Sequence, residues 1–341
     1  MNQITSLSVN GPTYGIGHTV RQRSLLDTAR SEGWQTSEIV INEFEPLIEQ
    51  LIRKRKYFKD SNCLVIDLDP RFVESYSFEL TNFFSDNDIR PICKVLIDSK
   101  PNFPIKKFLN RVHFNLTICP YGTSESRVKA DEISGFVYSI FPKSLEHIRN
   151  NKSLSISRKI NVVISCGGSD PANISLFYLR ILKGVSAAEL HIQIVIGKFF
   201  SQNQIKNILE IVHELPHNVE VLYSPLSLEQ AFEFADISLV TGGLTRNESM
   251  FTGVCTIVTD INEEQSIYTK WFSEKDAVIA LGTLDSQDIT RVDFHAKDVV
   301  SAIISNRERQ QVLVRNAKNC FPSNGALRVL SEISIVCPKW T

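Results

Sequence analysis

A histidine, an arginine and two glycines share one short stretch near the start of the chain, Gly15-Ile16-Gly17-His18-Thr19-Val20-Arg21. A histidine side chain moves protons near neutral pH. Arg21 lies three residues on, about one helical turn away on much the same face, and offers a fixed cation. Gly15 and Gly17 let backbone come close to a ligand at a helix N-terminus, where unpaired N–H groups attract anions. The apolar run Ile4 to Val9 before this stretch reads as a strand, and the residues from Thr19 onward read as a helix ending near Gly33. The motif therefore stands at the mouth of a βα unit, a usual ligand position in open α/β sheets. Taken alone, G-x-G with a histidine is more often structural, so the reading depends on the rest of the chain.

Two more glycine turns stand in the second half. Asn161–Ser165 reads as a strand that runs into Cys166-Gly167-Gly168-Ser169-Asp170-Pro171 and then a helix. Asp170 is expected to cap that helix with Pro171 in its first turn. Ile237–Val240 reads as a strand running into Thr241-Gly242-Gly243-Leu244-Thr245-Arg246-Asn247-Glu248. Here a diphosphate can rest on the N–H groups of Leu244 and Thr245 and on the Thr245 hydroxyl, beside Gly242 and Gly243. Glu248, one turn further, can accept the two hydroxyls of a ribose, the part an acidic residue plays in dinucleotide folds. Gln265, after the strand Cys255–Thr259, can reach a sugar hydroxyl, although Asn262 capping a helix explains that segment equally well.

These turns need a scaffold of alternating strands and helices. The expected strands are Ile4–Val9, Cys63–Asp67, Lys94–Ile97, Leu116–Cys119, Asn161–Ser165, Ile192–Ile196, Val219–Leu222, Ile237–Val240 and Cys255–Thr259. Helices are expected over 19–32, 43–57, 72–86, 173–184, 202–213, 227–234, 244–252 and 263–273. Such alternation predicts parallel sheets with crossover helices. The polar stretch from Arg149 to Arg158 is rich in Ser and Asn, as linkers are. The expected organisation is an N-terminal α/β domain over 1–148, a linker over 149–160 and a C-terminal nucleotide-binding domain over 161–341.

Composition excludes several classes. Of the 341 residues, 43% are hydrophobic and 22% charged, which suits a globular protein. A net charge of −1 argues against a general nucleic-acid binder. No apolar run approaches the ~20 residues of a membrane span, and the first residues lack a signal-peptide pattern. The seven cysteines are scattered and never spaced C-x-x-C, so they read as buried free thiols in a reducing cytoplasm. No metal site and no cofactor is expected. One basic stretch, Leu51-Ile-Arg-Lys-Arg-Lys-Tyr-Phe-Lys59, can form a peripheral cationic patch over 53–59 that meets an anionic surface or a polyanionic acceptor.

With these blocks assembled, the chain resembles the UDP-sugar hydrolases of the pseudaminic-acid pathway, relatives of GT-B glycosyltransferases such as the peptidoglycan N-acetylglucosaminyltransferase. The resemblance rests on Gly15-Ile-Gly-His-Thr-Val-Arg21, on Ile164-Ser-Cys-Gly-Gly-Ser-Asp-Pro-Ala-Asn173, and on Gly243-Leu-Thr-Arg-Asn-Glu-Ser249 continuing to Gln265. It implies a GT-B-like α/β fold, two Rossmann-like domains with parallel sheets facing a central cleft. It implies His18 as catalytic base, Glu248 on the uridine ribose and the Gly242–Thr245 turn on the diphosphate. Gly167, Gly168 and Asp170 fall in the second block, and Gly135-Phe-Val-Tyr138 matches a further short segment that adds Tyr138 to the substrate side. Two departures lie in the first domain. Asp67-Leu68-Asp69 stands where the family has Asp-x-Tyr, and Leu96-Ile97-Asp98-Ser99 stands where it has paired aspartates.

The expected activity is hydrolysis of a UDP-sugar to UDP and free sugar by a cytoplasmic monomer, with no metal on the phosphates. The alternatives are an inverting glycosyltransferase, in which His18 activates an acceptor hydroxyl, and a non-catalytic nucleotide-sugar binder. The basic stretch over 53–59 favours the transferase. Arg21 joins His18 in the candidate catalytic set, although it can simply pair with a neighbouring carboxylate such as Asp27 or with one across the cleft. Asp67, Asp69 and Asp98 are the carboxylates to which proton chemistry passes if His18 is structural.

Overall fold

The computed structural model describes residues 3–11, 13–14, 17–89, 92–98, 105–123, 126–152, 159–185, 189–284 and 294–337. Gly15, one of the glycines of the opening motif, lies outside them. The chain divides into two compact units, Met1–Pro142 with Phe321–Thr341, and Lys143–Cys320.

In the first unit the strands are β1 (Gln3–Asn10), β2 (Gln35–Asn42), β3 (Cys63–Asp67), β4 (Cys93–Ile97), β5 (Leu116–Cys119), β6 (Ser126–Lys129) and β7 (Glu132–Ser134). They lie in the order β2-β1-β3-β4-β5-β7-β6, parallel except where β6 meets β7. All five residues of β3 are buried, as in a parallel strand covered on both faces. The chain runs from β1 out to β2, then returns to the far side of β1 to lay down β3. This reversal opens a crevice at the C-terminal ends of β1 and β3.

The second unit is built the same way from β8 (Lys159–Ser165), β9 (Glu189–Ile196), β10 (Asn218–Tyr223), β11 (Ile237–Thr241), β12 (Cys255–Asp260) and β13 (Ile279–Thr283). The order is β10-β9-β8-β11-β12-β13 and every pairing is parallel. The reversal falls between β8 and β11, so the two glycine turns after these strands flank one switch point. Its core is continuous, with Val162, Ile164, Ile192, Ile194, Leu239 and Ile257 of the sheet packed with Tyr178, Leu179 and Leu182 of the helix Ile174–Lys183.

Several expectations need correcting. The helix expected over 43–57 is two, Leu47–Arg53 and Arg55–Lys59, separated at Lys54. The helix expected over 72–86 is likewise split at Tyr76, into Pro70–Ser75 and Ser77–Ser85. Residues 149–151 are not linker but the end of the helix Lys143–Asn151. Arg149 donates from there to the Phe251 and Lys318 carbonyls, 3.0 and 2.9 Å away, which ties that helix into the second unit. Residues 153–158, the rest of that stretch up to Arg158, lie outside the described residues.

The largest difference concerns the C-terminus. The segment from Phe321 onward belongs with the first unit, not the second. Its helix Gly325–Val336 places Val329, Leu330 and Ile333 in the same core as Leu25, Leu26 and Ala29 of the helix Gly17–Ser31 and Val65 and Val95 of the sheet. This return also joins Cys93 to Cys337 in a disulfide across 244 residues, correcting the reading of all seven cysteines as free thiols. Among the described residues no helix is long and apolar enough to cross a membrane.

If the C-terminal helix completes this core, Leu330→Ala removes a buried side chain and lowers unfolding free energy by about 2–5 kcal/mol. Urea denaturation measures it. A loss under about 1 kcal/mol, nearer the range of a surface change, would contradict the placement.

Candidate functional site

The candidate catalytic side chains of the first unit gather on Asp67, the last residue of β3, which is fully buried. His18 enters from the first turn of the helix Gly17–Ser31, after β1, so the two meet across the switch point. His18 Nδ1 lies 2.7 Å from Asp67 Oδ1. Arg21, one turn further, grips the same carboxylate with two nitrogens, Nε to Oδ2 at 2.7 Å and Nη2 to Oδ1 at 2.6 Å. Gln22 Nε2 adds a donor to Oδ2 at 3.1 Å. The carboxylate thus accepts four hydrogen bonds, its full capacity.

Electrostatics reflect this arrangement. Burial alone would raise the Asp67 carboxyl. The Arg21 guanidinium, with His18, outweighs it and holds Asp67 well below the usual carboxylate range. Burial likewise opposes the Arg21 charge, and Asp67 and the Tyr121 hydroxyl restore and strengthen it. Arg21 Nη1 donates to Tyr121 Oη at 2.7 Å, which fixes the far side of the guanidinium. Arg21 Nη2 also lies 3.3 Å from His18 Nδ1, but the nearer neighbour of Nδ1, at 2.7 Å, is the ionised Asp67 carboxylate, which can only accept. We therefore assign the Nδ1 proton to Asp67, which leaves the Nε2 lone pair free. The His18 side chain keeps 13% of its surface exposed.

A second carboxylate, Asp69 Oδ2, lies 3.9 Å from His18 Nε2. Asp69 caps the helix Pro70–Ser75 through the Arg71 amide and is paired with the Arg71 guanidinium. Burial raises Asp69, and the Arg71 bonds more than reverse it. The D-x-D spacing of Asp67 and Asp69 is thus spent on two arginines. Asp98 is engaged locally: its carboxylate accepts the Ile105 amide at 3.0 Å. Tyr138 is turned to the C-terminal helix, its hydroxyl 3.4 Å from Glu332 Oε1.

In the second unit, Gly167 has φ +82°, a left-handed turn that favours glycine. Asp170 does cap the helix after it, accepting the Ile174 and Ser175 amides at 2.8 and 2.9 Å. That helix starts at Ile174, so Pro171 precedes it and is not in its first turn. The turn after β11 is tighter. A side chain at Gly242 would strike Asp260 Oδ1 at 2.0 Å and Gln265 Cβ at 2.8 Å, so only glycine fits. Gly243 caps the helix Leu244–Thr252 without any side-chain hydrogen bond, which leaves its N-terminus open to an anion. Gln265 Oε1 accepts the Ile261 amide at 3.2 Å, while its Nε2 lies 3.9 Å from where a Gly243 side chain would begin.

Glu248 is half-buried with no hydrogen bond or ion pair among the described residues. Burial, with the nearby Glu229 charge adding to it, pushes its carboxyl up to about 7. An unpartnered acceptor of this kind awaits donors. Two residues beneath the turn escape a reading of the sequence. Arg246, buried, donates to Asn247 Oδ1 at 3.1 Å and to Thr269 Oγ1 at 3.0 Å, and stacks over Phe272. Thr269 in turn donates to Asp260 Oδ1 at 2.7 Å. In the first unit Tyr121 and Gln22 escape it as well. Gln22 has a visible signal, four residues from His18 on the same helix face; Tyr121 has none.

No protein-family model matches the chain. The uncharacterized protein MJ1062 of Methanocaldococcus jannaschii is 24% identical over 273 residues, 74% of this chain and 54% of that protein. The chain thus spans about half the length of the curated relative it matches. Among solved structures, MurG of Acinetobacter baumannii superposes with a TM-score of 0.66 at 12% identity, covering 98% of this chain and 100% of that one. The fold is GT-B. Two further structures share it. Anabaena HepE, solved with UDP and glucose, gives a TM-score of 0.61 at 11% identity over 98% and 100% of the two chains. UDP-GlcNAc 2-epimerase from Neisseria meningitidis, bound to UDP-GlcNAc, gives 0.64 at 11% identity over 97% and 99%.

The Glu248 environment predicts a pH dependence. A carboxyl whose folded value is raised binds a proton in the folded state that the unfolded chain has released. Stability therefore falls as pH rises from about 4.5, the ordinary value, to about 7, and levels off above. Glu248→Gln removes this slope. Urea midpoints from pH 4.5 to 8 should converge at the acid end and separate towards pH 8, with Glu248→Gln the more stable. Parallel curves would show that the carboxyl is not held up.

Proposed function

We propose that the protein hydrolyses a UDP-sugar, releasing UDP and the free sugar. The observation that carries this reading is His18 locked by the Arg21–Asp67 ion pair, with Nε2 free to accept a proton. Water donates its proton to Nε2 while its oxygen attacks the anomeric carbon. The bond to the UDP oxygen breaks, and the electron pair leaves with the diphosphate. Asp67 keeps its charge throughout, since Arg21 neutralises it, and steadies the imidazolium that forms.

In this reading the open N-terminus at Leu244 and Thr245 receives the diphosphate, and the unpartnered Glu248 accepts the ribose hydroxyls. Gly167, Gly168 and Gln265 line the remaining substrate side. The reading draws support from the GT-B fold, whose solved examples include proteins with UDP, UDP and glucose, or UDP-GlcNAc bound, and from the motif resemblance to pseudaminic-acid-pathway hydrolases. The case for a transferase draws on the basic stretch over 53–59. Much of that charge is paired: Arg53 with Glu45, Arg55 with Asp86 and Asp88, Lys59 with Asp88, while Lys54 turns inward to the Val40 carbonyl. This weakens the case for a bare cationic surface.

Incubation with a panel of UDP-sugars, with products read by mass spectrometry, tests the reading. Free sugar and UDP without an acceptor are expected. Turnover only with an added acceptor makes the protein a transferase, and a rearranged sugar still linked to UDP makes it an epimerase. His18→Asn should lose about 10²–10⁴-fold in turnover with unchanged UDP affinity. Near-normal turnover would move the base elsewhere. Glu248→Ala removes hydrogen bonds to a charged group, each contributing about 1.5–3 kcal/mol. By calorimetry UDP should bind that variant roughly ten- to a hundredfold more weakly, and unchanged affinity would refute the ribose contact.

A further inference from the structure

At the N-terminal edge of the first sheet, opposite the edge that carries Asp67, three sulfurs meet. Cys63 and Cys93 open β3 and β4 and are register partners on adjacent strands. Cys337 ends the C-terminal helix. The three sulfurs lie within 4.8 Å of one another. Cys93 and Cys337 are joined, with their Cα atoms 6.0 Å apart, and Cys63 is a free, buried thiol.

A single disulfide needs two cysteines. The third lies where it can compete for the bond. Neighbouring strands are about 4.8 Å apart, inside the roughly 4.4–6.8 Å that Cα atoms span across a disulfide. The register pair Cys63 and Cys93 therefore falls within the Cα span of a disulfide, with the sulfurs already within 4.8 Å. We propose that this cluster is a thiol–disulfide exchange site that fastens and releases the C-terminal helix.

The Cys63 thiolate attacks Cys93 Sγ. The Cys63–Cys93 bond forms as the Cys93–Cys337 bond breaks, and Cys337 leaves with the electron pair and takes up the proton that Cys63 gave. No electron enters or leaves the chain, so no oxidant or reductant is consumed. In the first pairing the helix is tied to the sheet. In the second it is held by packing alone, through Val329, Leu330 and Ile333. Burial pushes the Cys63 thiol up, so exchange is slow while the helix is packed and speeds up with its local opening.

The test maps disulfides in the full chain purified without reductant and exposed to glutathione disulfide. Samples are trapped with N-ethylmaleimide, digested and read by mass spectrometry. At neutral pH the linked peptide should join Cys93 to Cys337. In mild urea, above the ordinary thiol value of about 8.5, a Cys63–Cys93 peptide should grow at its expense while Cys337 takes the label. In Cys63→Ser, or in Cys63→Ala if serine is not tolerated, Cys337 labelling should slow at least about tenfold. Four outcomes would overturn the proposal: no linked peptide among these cysteines, a Cys93–Cys337 peptide that never gives way to Cys63–Cys93, Cys337 labelling that is unchanged without Cys63, or one tightly held zinc with all three thiols reduced. The wild-type map decides even if both variants misfold, because the Cys63–Cys93 peptide either forms or does not.

Discussion

The buried ion pair between Arg21 and Asp67 is the interaction on which the role proposed for His18 rests. Taking two charges out of water costs several kcal/mol per ion. The pair persists because no lone pair on Asp67 and few donors on Arg21 are left unsatisfied: His18, Gln22 and Tyr121 complete it. Such completeness makes the arrangement rigid. Removal of Arg21 or Asp67 leaves the other charge buried and uncompensated, and removal of His18, Gln22 or Tyr121 leaves a buried polar group short of a hydrogen bond, so the tolerance for change around Asp67 is low. A base needs that rigidity, since the direction of the Nε2 lone pair is set by what Nδ1 is bound to.

Topology brings these groups together. His18 comes after β1 and Asp67 ends β3, strands that are neighbours only because the chain reverses direction across the sheet. The second unit repeats the device with β8 and β11, each ending in a glycine turn. Beneath the Gly242 turn a buried relay runs from Arg246 through Thr269 to Asp260, and Asp260 leaves room for nothing larger than glycine. The open helix N-terminus and Glu248 are thus held on a buried hydrogen-bonded base, which the phosphate and ribose contacts proposed for them require to spare ordering cost on binding.

Local chemistry is legible in the sequence and long-range chemistry is not. Strands such as Cys63–Asp67 and Leu116–Cys119 are short apolar runs and stand out, as do the glycine turns. β2 escapes notice because Gln-Thr-Ser-Glu-Ile-Val-Ile-Asn mixes polar and apolar residues at the sheet edge, where only part of the strand is buried. Tyr121 binds Arg21 across 100 residues, and no spacing rule reaches that far. Asp27, near enough in sequence to attract Arg21, is taken by Arg30 instead. The return of residues 321–337 to the first unit, and with it the Cys93–Cys337 bond, depends on tertiary packing that an amphipathic pattern does not specify.

The assignment of the base depends above all on which nitrogen of His18 carries the proton. Nitrogen-15 NMR of histidine-labelled protein, with His18 assigned by the His18→Asn variant, reads this directly at a pH where the ring is neutral. The expected spectrum has a protonated Nδ1 and a bare Nε2, a tautomer lost or mixed in Asp67→Asn. A protonated Nε2 in the native protein would put the lone pair on Nδ1, against Asp67 and Arg21, with none to offer at Nε2, and the assignment would fail.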